Sequence, residues 1–220
     1  MGASQTRHAS QYQDLATETG FSLEQIKNLH KRFLQLSENE DTISRDSLNS
    51  LPALANNPIR KQIVEAFFDK RNQQGNELGS NEEISFQQFL LVMSHFRPPT
   101  LKTTEEEKEA MRRKKIRFLF NMHDTDGDGI ITLTEYRKAV EELLSKASTI
   151  GQEAGRAIAD AAMLEVASIN VPHMGPDDFY EGITFEHFEQ ILKRLELESR
   201  MHIRFLDMDA PTMRCGRAAT

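Results

Sequence analysis

The chain has 220 residues, of which 28% are charged and 38% hydrophobic, and its formal net charge is −7. This length allows one or two domains with a substantial core, and the acidic balance excludes a nucleic-acid binder that relies on an overall positive field. The single cysteine, Cys215, excludes a disulfide within the chain and a cysteine-based zinc site. We therefore expect an acidic globular protein of a reducing compartment, with no nucleic-acid partner.

A repeated pattern of apolar residues predicts four helix–loop–helix units. Each unit has a helix with apolar residues at helical spacing, a polar loop, one isoleucine and a second helix. In each unit an apolar or aromatic residue of the second helix follows the isoleucine by five positions; the pairs are Ile43 with Leu48, Ile84 with Phe89, Ile131 with Tyr136 and Ile183 with Phe188. EF-hands have this layout, so we predict an all-α fold with two lobes of paired EF-hands and short β contacts between the paired loops.

Proline and charge divide the chain into five predicted segments. Pro98 and Pro99 end the second unit because proline has no backbone donor, and acidic residues from Glu105 then begin a new helix. We expect an N-terminal arm, a first lobe, a linker, a second lobe and a tail, with the bounds 1–20, 21–97, 98–108, 109–195 and 196–220. Residues 145–155 form a second, looser connector.

The third unit contains a complete EF-hand calcium loop from Asp124 to Glu135. Ca²⁺ takes about six to eight oxygen ligands, which such a loop supplies from its positions one, three, five, seven, nine and twelve. Gly129 stands at position six, where the chain needs a backbone that glycine adopts without steric cost. The predicted ligands are Asp124, Asp126, Asp128, the carbonyl of Ile130, Thr132 through a water, and Glu135 with both oxygens. We expect one Ca²⁺ site with Mg²⁺ as a competitor; the alternative is an acidic turn that binds nothing.

The other three loops lack this pattern. The first has only eleven residues from Ser37 to Ser47, and its acids are out of register. The second, Asp69 to Gln88, is too long and ends on an amide, while the fourth places His187 at the closing position. Imidazole is a poor calcium ligand. We therefore predict that these loops bind no calcium and that Ile84 and Ile183 support their neighbouring loops.

Several stretches resemble the calcineurin B homologous proteins, in the calcineurin B and recoverin-like branch of EF-hand proteins. The stretches are Gly20–Ser22, Asn57–Arg60, Ala66–Asp69, Phe89–Pro98 and Tyr180–Phe185. Other calcineurin B homologues look similar but keep two binding loops, in the third and fourth units, and the fourth loop of this chain departs from that pattern.

The resemblance implies a regulatory subunit and not an enzyme. Family members bind an amphipathic helix in the cytoplasmic juxtamembrane region of plasma-membrane Na⁺/H⁺ exchangers, and support exchanger maturation, stability and activity in pH regulation. One alternative is a calcium sensor that inhibits calcineurin phosphatase, and another is a simple Ca²⁺/Mg²⁺ buffer without a target. The free protein is expected to be a monomer.

Six apolar residues are candidates for a groove that receives the partner helix. EF-hand lobes bind amphipathic helices in grooves rich in Met and Phe. The candidates are Phe89, Val92, Met93, Met111, Met163 and Leu192. For each residue the alternative is the lobe core, because apolar helix faces are usually buried in their own domain.

The start of the chain, Met1-Gly2 with Thr6, is a myristoylation signal in which Gly2 is acylated after Met1 is removed. One myristoyl chain gives only marginal membrane binding, and Arg7 is the only nearby base, so stable attachment requires a membrane-bound partner. We expect the cytoplasm and the cytoplasmic face of the plasma membrane. The basic run Arg112–Arg117 adds the nucleus as an alternative location, unless its charges form a solvated helix face.

Overall fold

The computed structural model describes residues 3–73, 77–144, 152–170, 180–197 and 201. The helices of this part are α1 (Ala3–Thr19), α2 (Leu23–Leu36), α3 (Arg45–Asn49), α4 (Pro52–Ala55), α5 (Arg60–Phe68), α6 (Phe86–Ser94), α7 (Glu105–His123), α8 (Leu133–Leu144), α9 (Gln152–Asn170) and α10 (Phe185–Leu192). The strands are β1 (Thr42–Ser44), β2 (Glu83–Ser85), β3 (Ile130–Ile131) and β4 (Ile183–Thr184). This confirms the predicted all-α class. Among the described helices, none combines the length and apolar character needed to span a bilayer.

Local capping chemistry explains where three of the main helices begin. Each starts at a Ser or Thr whose hydroxyl accepts the backbone N–H three residues later, while the Gln or Glu at that position bonds back to the cap. The pairs are Ser22 with Gln25 in α2, Ser85 with Gln88 in α6 and Thr104 with Glu107 in α7. Gln88, the last residue of the second loop, is therefore used to begin α6.

Two antiparallel β contacts join the loops in pairs, as the isoleucine pattern predicts. Ile43 faces Ile84 between β1 and β2, and Ile131 faces Ile183 between β3 and β4. All four side chains are at most 3% exposed. Gly182 lies beside the second contact with φ of +151°, and a Cβ on it would meet the carbonyl oxygen of Ile131 at 2.4 Å. Only glycine allows the two loops to approach this closely.

Two apolar cores lie on either side of α7. The larger is built mainly from α1, α2, α5 and α6, and it also contains Phe118 of α7. The smaller contains Ile116 and Phe120 of α7 with residues of β3, α9, β4 and α10. Leu119 packs against both cores. Although α7 begins after the predicted linker, it belongs to both halves of the molecule.

The N-terminal and connecting segments contain more helix than the sequence indicates. Residues 3–19, predicted as an arm, form α1, and its Leu15 is buried in the larger core. Tyr12, Leu15, Ala16 and Thr19 have helical spacing, but the polar residues around them hide this pattern. α9 begins at Gln152, inside the predicted connector. Residues 145–151 of that connector lie outside the described part.

The basic run in α7 does not form the solvated face that its charge predicts. Arg112 donates to three carbonyl groups at and just after the end of α10, at 2.6 to 3.1 Å. Lys115 is only 2% exposed, and its Nζ donates to the carbonyls of His95 and Arg97. The guanidinium of Arg117 lies over the ring of Phe185. For these three residues the prediction is wrong, because helix ends and a ring from elsewhere in the chain provide their partners.

Candidate calcium site

The loop from Asp124 to Glu135 runs between the end of α7 and the first turn of α8, with β3 inside it. Asp124 is the cap residue at the end of α7. Gly127 and Gly129 have φ values of +77° and +91°, a region in which residues with a Cβ are strained. The structure therefore confirms that the glycine at position six provides the tight turn of the loop.

Three aspartates are brought together by this turn. Carboxylate oxygens of Asp124, Asp126 and Asp128 lie within 4.8 Å of one another. Asp124 is buried, whereas Asp126 and Asp128 are exposed. Oxygen atoms of carboxylates are the ligands that Ca²⁺ prefers, and three like charges at this separation favour a bound cation. The donor set fits a calcium ion.

Backbone N–H groups hold each aspartate in the loop. Oδ1 of Asp124 accepts from the N–H of Gly127 at 2.9 Å, and Oδ2 accepts from the N–H of Gly129 at 3.2 Å. Asp126 and Asp128 each accept from the N–H two residues further on, at 3.2 and 2.8 Å. Burial raises the pKa of Asp124, against the opposing effects of a nearby arginine and of these N–H groups. A bound cation would favour the ionised form of this carboxylate.

Glu135, the predicted closing ligand, is not part of the aspartate cluster. Its Oε1 accepts from the backbone and hydroxyl of Thr125 at 2.6 and 2.7 Å, and its Oε2 accepts from those of Thr132 at 3.0 Å. Burial acts to raise the pKa of Glu135, but these four bonds outweigh it and hold the pKa below its ordinary value. Glu135 is therefore ionised, as a ligand must be, and it also fixes the start of α8. Its coordination, with that of Ile130 and Thr132, stays a prediction.

A cation from another unit also contacts the site. Arg71 lies in a 3₁₀ turn, Lys70–Asn72, that follows α5. Its Nη1 donates to Oδ2 of Asp124 at 2.9 Å, and its Nη2 donates to the backbone carbonyl of Asp124 at 2.7 Å. Burial acts to lower the pKa of Arg71, but Asp69 and Asp124 together raise it. Sequence analysis missed this residue because 53 positions separate it from Asp124.

Comparison with known proteins decides the family. An EF-hand domain model matches residues 115–145, which include the loop. The chain is 52% identical over 210 residues to Calcineurin B homologous protein 3 of Xenopus laevis, covering 96% of this chain and 98% of that protein. The human protein of the same name is 48% identical over 209 residues, with coverage of 95% and 97%.

The chain belongs to the calcineurin B homologous protein family. Proteins of this family are EF-hand regulatory proteins and not enzymes, as the resemblance implies. Together with the aspartate cluster, membership identifies the chain as a calcium-binding regulatory protein. A more distant relative, the calcineurin B protein of Naegleria gruberi, is 26% identical over 194 residues, or 87% of this chain and 92% of that protein.

In this member of the calcineurin B homologous family, most of the predicted groove residues are buried. The larger core contains Phe89, Val92 and Met93, none of which is exposed. Met163 lies in the smaller core, while Met111 and Leu192 are partly exposed. In this conformation the core alternative describes the first four, and a groove formed by all six stays a prediction. The predicted lipidation site, Gly2, lies outside the described residues.

Proposed function

We propose that the chain is a calcium-binding regulatory subunit that docks on a cytoplasmic juxtamembrane helix of a plasma-membrane Na⁺/H⁺ exchanger. In this role it supports the maturation, stability and activity of the exchanger in pH regulation. One observation carries the proposal: a family member with four EF-hand units retains a complete calcium loop in one unit, while loop residues of others begin or stabilise helices. Such a molecule is better suited to holding a partner than to storing calcium.

The distribution of exposed apolar side chains supports a partner surface in the second half of the chain. Large apolar residues there are 41–70% exposed: Leu143, Ile158, Leu164, Ile191 and Leu195. The core of this half is also the smaller of the two. Apolar surface that a domain leaves in water is available to the apolar face of an amphipathic helix.

Peptide binding tests this proposal. A synthetic exchanger juxtamembrane helix is titrated into the full chain by calorimetry, with calcium and with a chelator. We expect binding in both conditions, with an affinity that calcium changes. The double variant Ile158→Ser, Leu164→Ser should lose binding, whereas Leu101→Ser, at a residue 97% exposed before α7, should not. No binding of the unmodified chain in either condition would overturn the proposal.

A second candidate function is calcium-dependent inhibition of calcineurin phosphatase. Similarity to the calcineurin B protein over 87% of this chain supports it, because a chain of similar fold can compete for the same docking helix. The test is a phosphatase assay with purified calcineurin and increasing amounts of this chain. Full activity at saturating chain would exclude this candidate.

We also propose one Ca²⁺ site for which Mg²⁺ competes, and a membrane attachment that combines a myristoyl group at Gly2 with the exchanger. A single acyl chain binds membranes weakly, so the partner provides the remaining affinity. Mass spectrometry of the chain from eukaryotic cells tests acylation, and Gly2→Ala is the matched variant. The expected locations are the cytoplasm and the cytoplasmic face of the plasma membrane, with the nucleus as an alternative.

A further inference from the structure

Arg71 joins the second EF-hand unit to the calcium loop of the third. On its own side, its guanidinium donates to both carboxylate oxygens of Asp69 at 2.7 to 3.1 Å. On the other side it donates to the carboxylate and the carbonyl of Asp124 and to the carbonyl of Asn121. Its side chain is only 13% exposed. Because an arginine keeps its charge, a fixed positive charge contacts the carboxylate at the first ligand position.

The neighbouring residue holds the same turn against α7. Asn121 Nδ2 donates to Oδ1 of Asn72 at 3.0 Å, and Asn72 Nδ2 donates to the carbonyl of Ala66 at 3.0 Å. Asn72 and Asn121 are both buried. Two adjacent residues of the turn therefore contact the last two turns of α7, and the position of Arg71 is fixed from both sides.

Two effects of Arg71 on calcium binding oppose each other. It could help by orienting Asp124, or it could weaken binding by repelling a divalent cation. The N–H groups of Gly127 and Gly129 already orient both oxygens of Asp124, so little orientation is left for Arg71 to add. Its charge, in contrast, is unique at that carboxylate among the described side chains, and such repulsion is strong in a partly buried site.

We propose that Arg71 is a tethered cation that competes with calcium for Asp124 and couples the calcium loop to the second unit. Calcium binding weakens the Arg71–Asp124 pair and loosens the turn Lys70–Asn72 from α7. By thermodynamic linkage, a change that strengthens this contact weakens calcium binding to the same extent. The inference rests on the proposed calcium site but not on the exchanger as partner.

Calorimetric calcium titration of the full chain tests the affinity effect. Arg71→Gln should lower the dissociation constant about tenfold, since it removes the charge and keeps an amide donor. Asp69→Asn should raise it, because Arg71 then loses its other carboxylate. Lys70→Gln removes the same charge one residue away from a side chain paired with Glu77, and should change the constant less than about twofold.

The opposite signs separate this effect from misfolding, which would weaken calcium binding in every variant. Unchanged or weaker binding by Arg71→Gln would overturn the inference while leaving the calcium site standing. No calcium binding by the unmodified chain would overturn the site itself, and the inference with it.

Hydrogen exchange tests the coupling. The N–H groups of Asn72 and Gln73 bond to carbonyls of Asp69 and Lys70 within the turn, at 3.0 and 3.1 Å. Calcium should raise their exchange rates severalfold in the unmodified chain. In Arg71→Gln the rates should be high from the start and insensitive to calcium. Exchange in the unmodified chain that calcium leaves unchanged would overturn the coupling.

Discussion

Phe118 and Phe120 stand two positions apart on α7, yet their side chains lie in different cores. Phe118 contacts the rings of His95 and Phe96 in the first half, and Phe120 contacts the rings of Phe185 and Phe188 in the second. A helix shared in this way transmits a loss of packing on one side to the other.

The first prediction is that the described halves unfold as one unit. Phe118→Ala and Phe120→Ala should each lower the free energy of unfolding by about 3–5 kcal/mol, the usual range for a buried phenylalanine. Denaturant unfolding followed by circular dichroism measures this, with Leu101→Ala as the exposed control. Two separate transitions in the unmodified chain would contradict the prediction.

The second prediction concerns the number of calcium ions. Asp124→Ala should abolish calcium binding, because it removes the buried carboxylate of the cluster. Asp41→Asn, which changes an exposed acid of the first loop, should leave the affinity unchanged. Calorimetry measures both the affinity and the stoichiometry. A stoichiometry of two or more for the unmodified chain would refute the single site.

The third prediction concerns Gly182. Gly182→Ala should destabilise the protein by about 2 kcal/mol or more and weaken calcium binding, because the added Cβ meets the carbonyl of Ile131. Gly79→Ala is a matched control, since Gly79 also has a positive φ but a Cβ there meets nothing within 4 Å. It should destabilise by only about 1 kcal/mol. Equal losses for the two variants in thermal unfolding would show that the close approach is unimportant.

The fourth prediction is a loss of stability in acid. Burial lowers the pKa of His95 from 6.5 to about 4, although a bond to the carbonyl of Asn72 opposes this and Lys115 adds to it. Nδ1 of His95 is buried, and the described residues give it no partner. A histidine with a lowered pKa contributes stability that is complete above about pH 6.5 and is lost as the pH falls through about 4.

This loss amounts to at most about 3 kcal/mol for His95. His95→Gln, which keeps a donor for Asn72, should flatten the curve between pH 7 and pH 4. Unfolding free energies measured over that range check the effect. A variant whose stability falls as steeply as that of the unmodified chain would assign the acid sensitivity to other groups.

Sequence patterns predicted the parts of this molecule that depend on neighbours in the chain. The aspartate spacing predicted the cluster, and the isoleucine spacing predicted both β contacts, since each follows from a local period. Arg71 and Lys115 could not be assigned in this way. Their partners are distant in the chain, and a charge in a sequence does not reveal whether it meets water, a carboxylate or the end of a helix.

The contact between β3 and β4 has a consequence for how this chain can vary over evolution. Ile130, whose carbonyl is a predicted ligand, pairs with Thr184 of a loop that lacks the calcium pattern. Selection on the fourth loop therefore acts on backbone shape rather than on acidity. Replacements that remove a carboxylate there should be nearly neutral, whereas those that alter Gly182 or Ile183 should be eliminated.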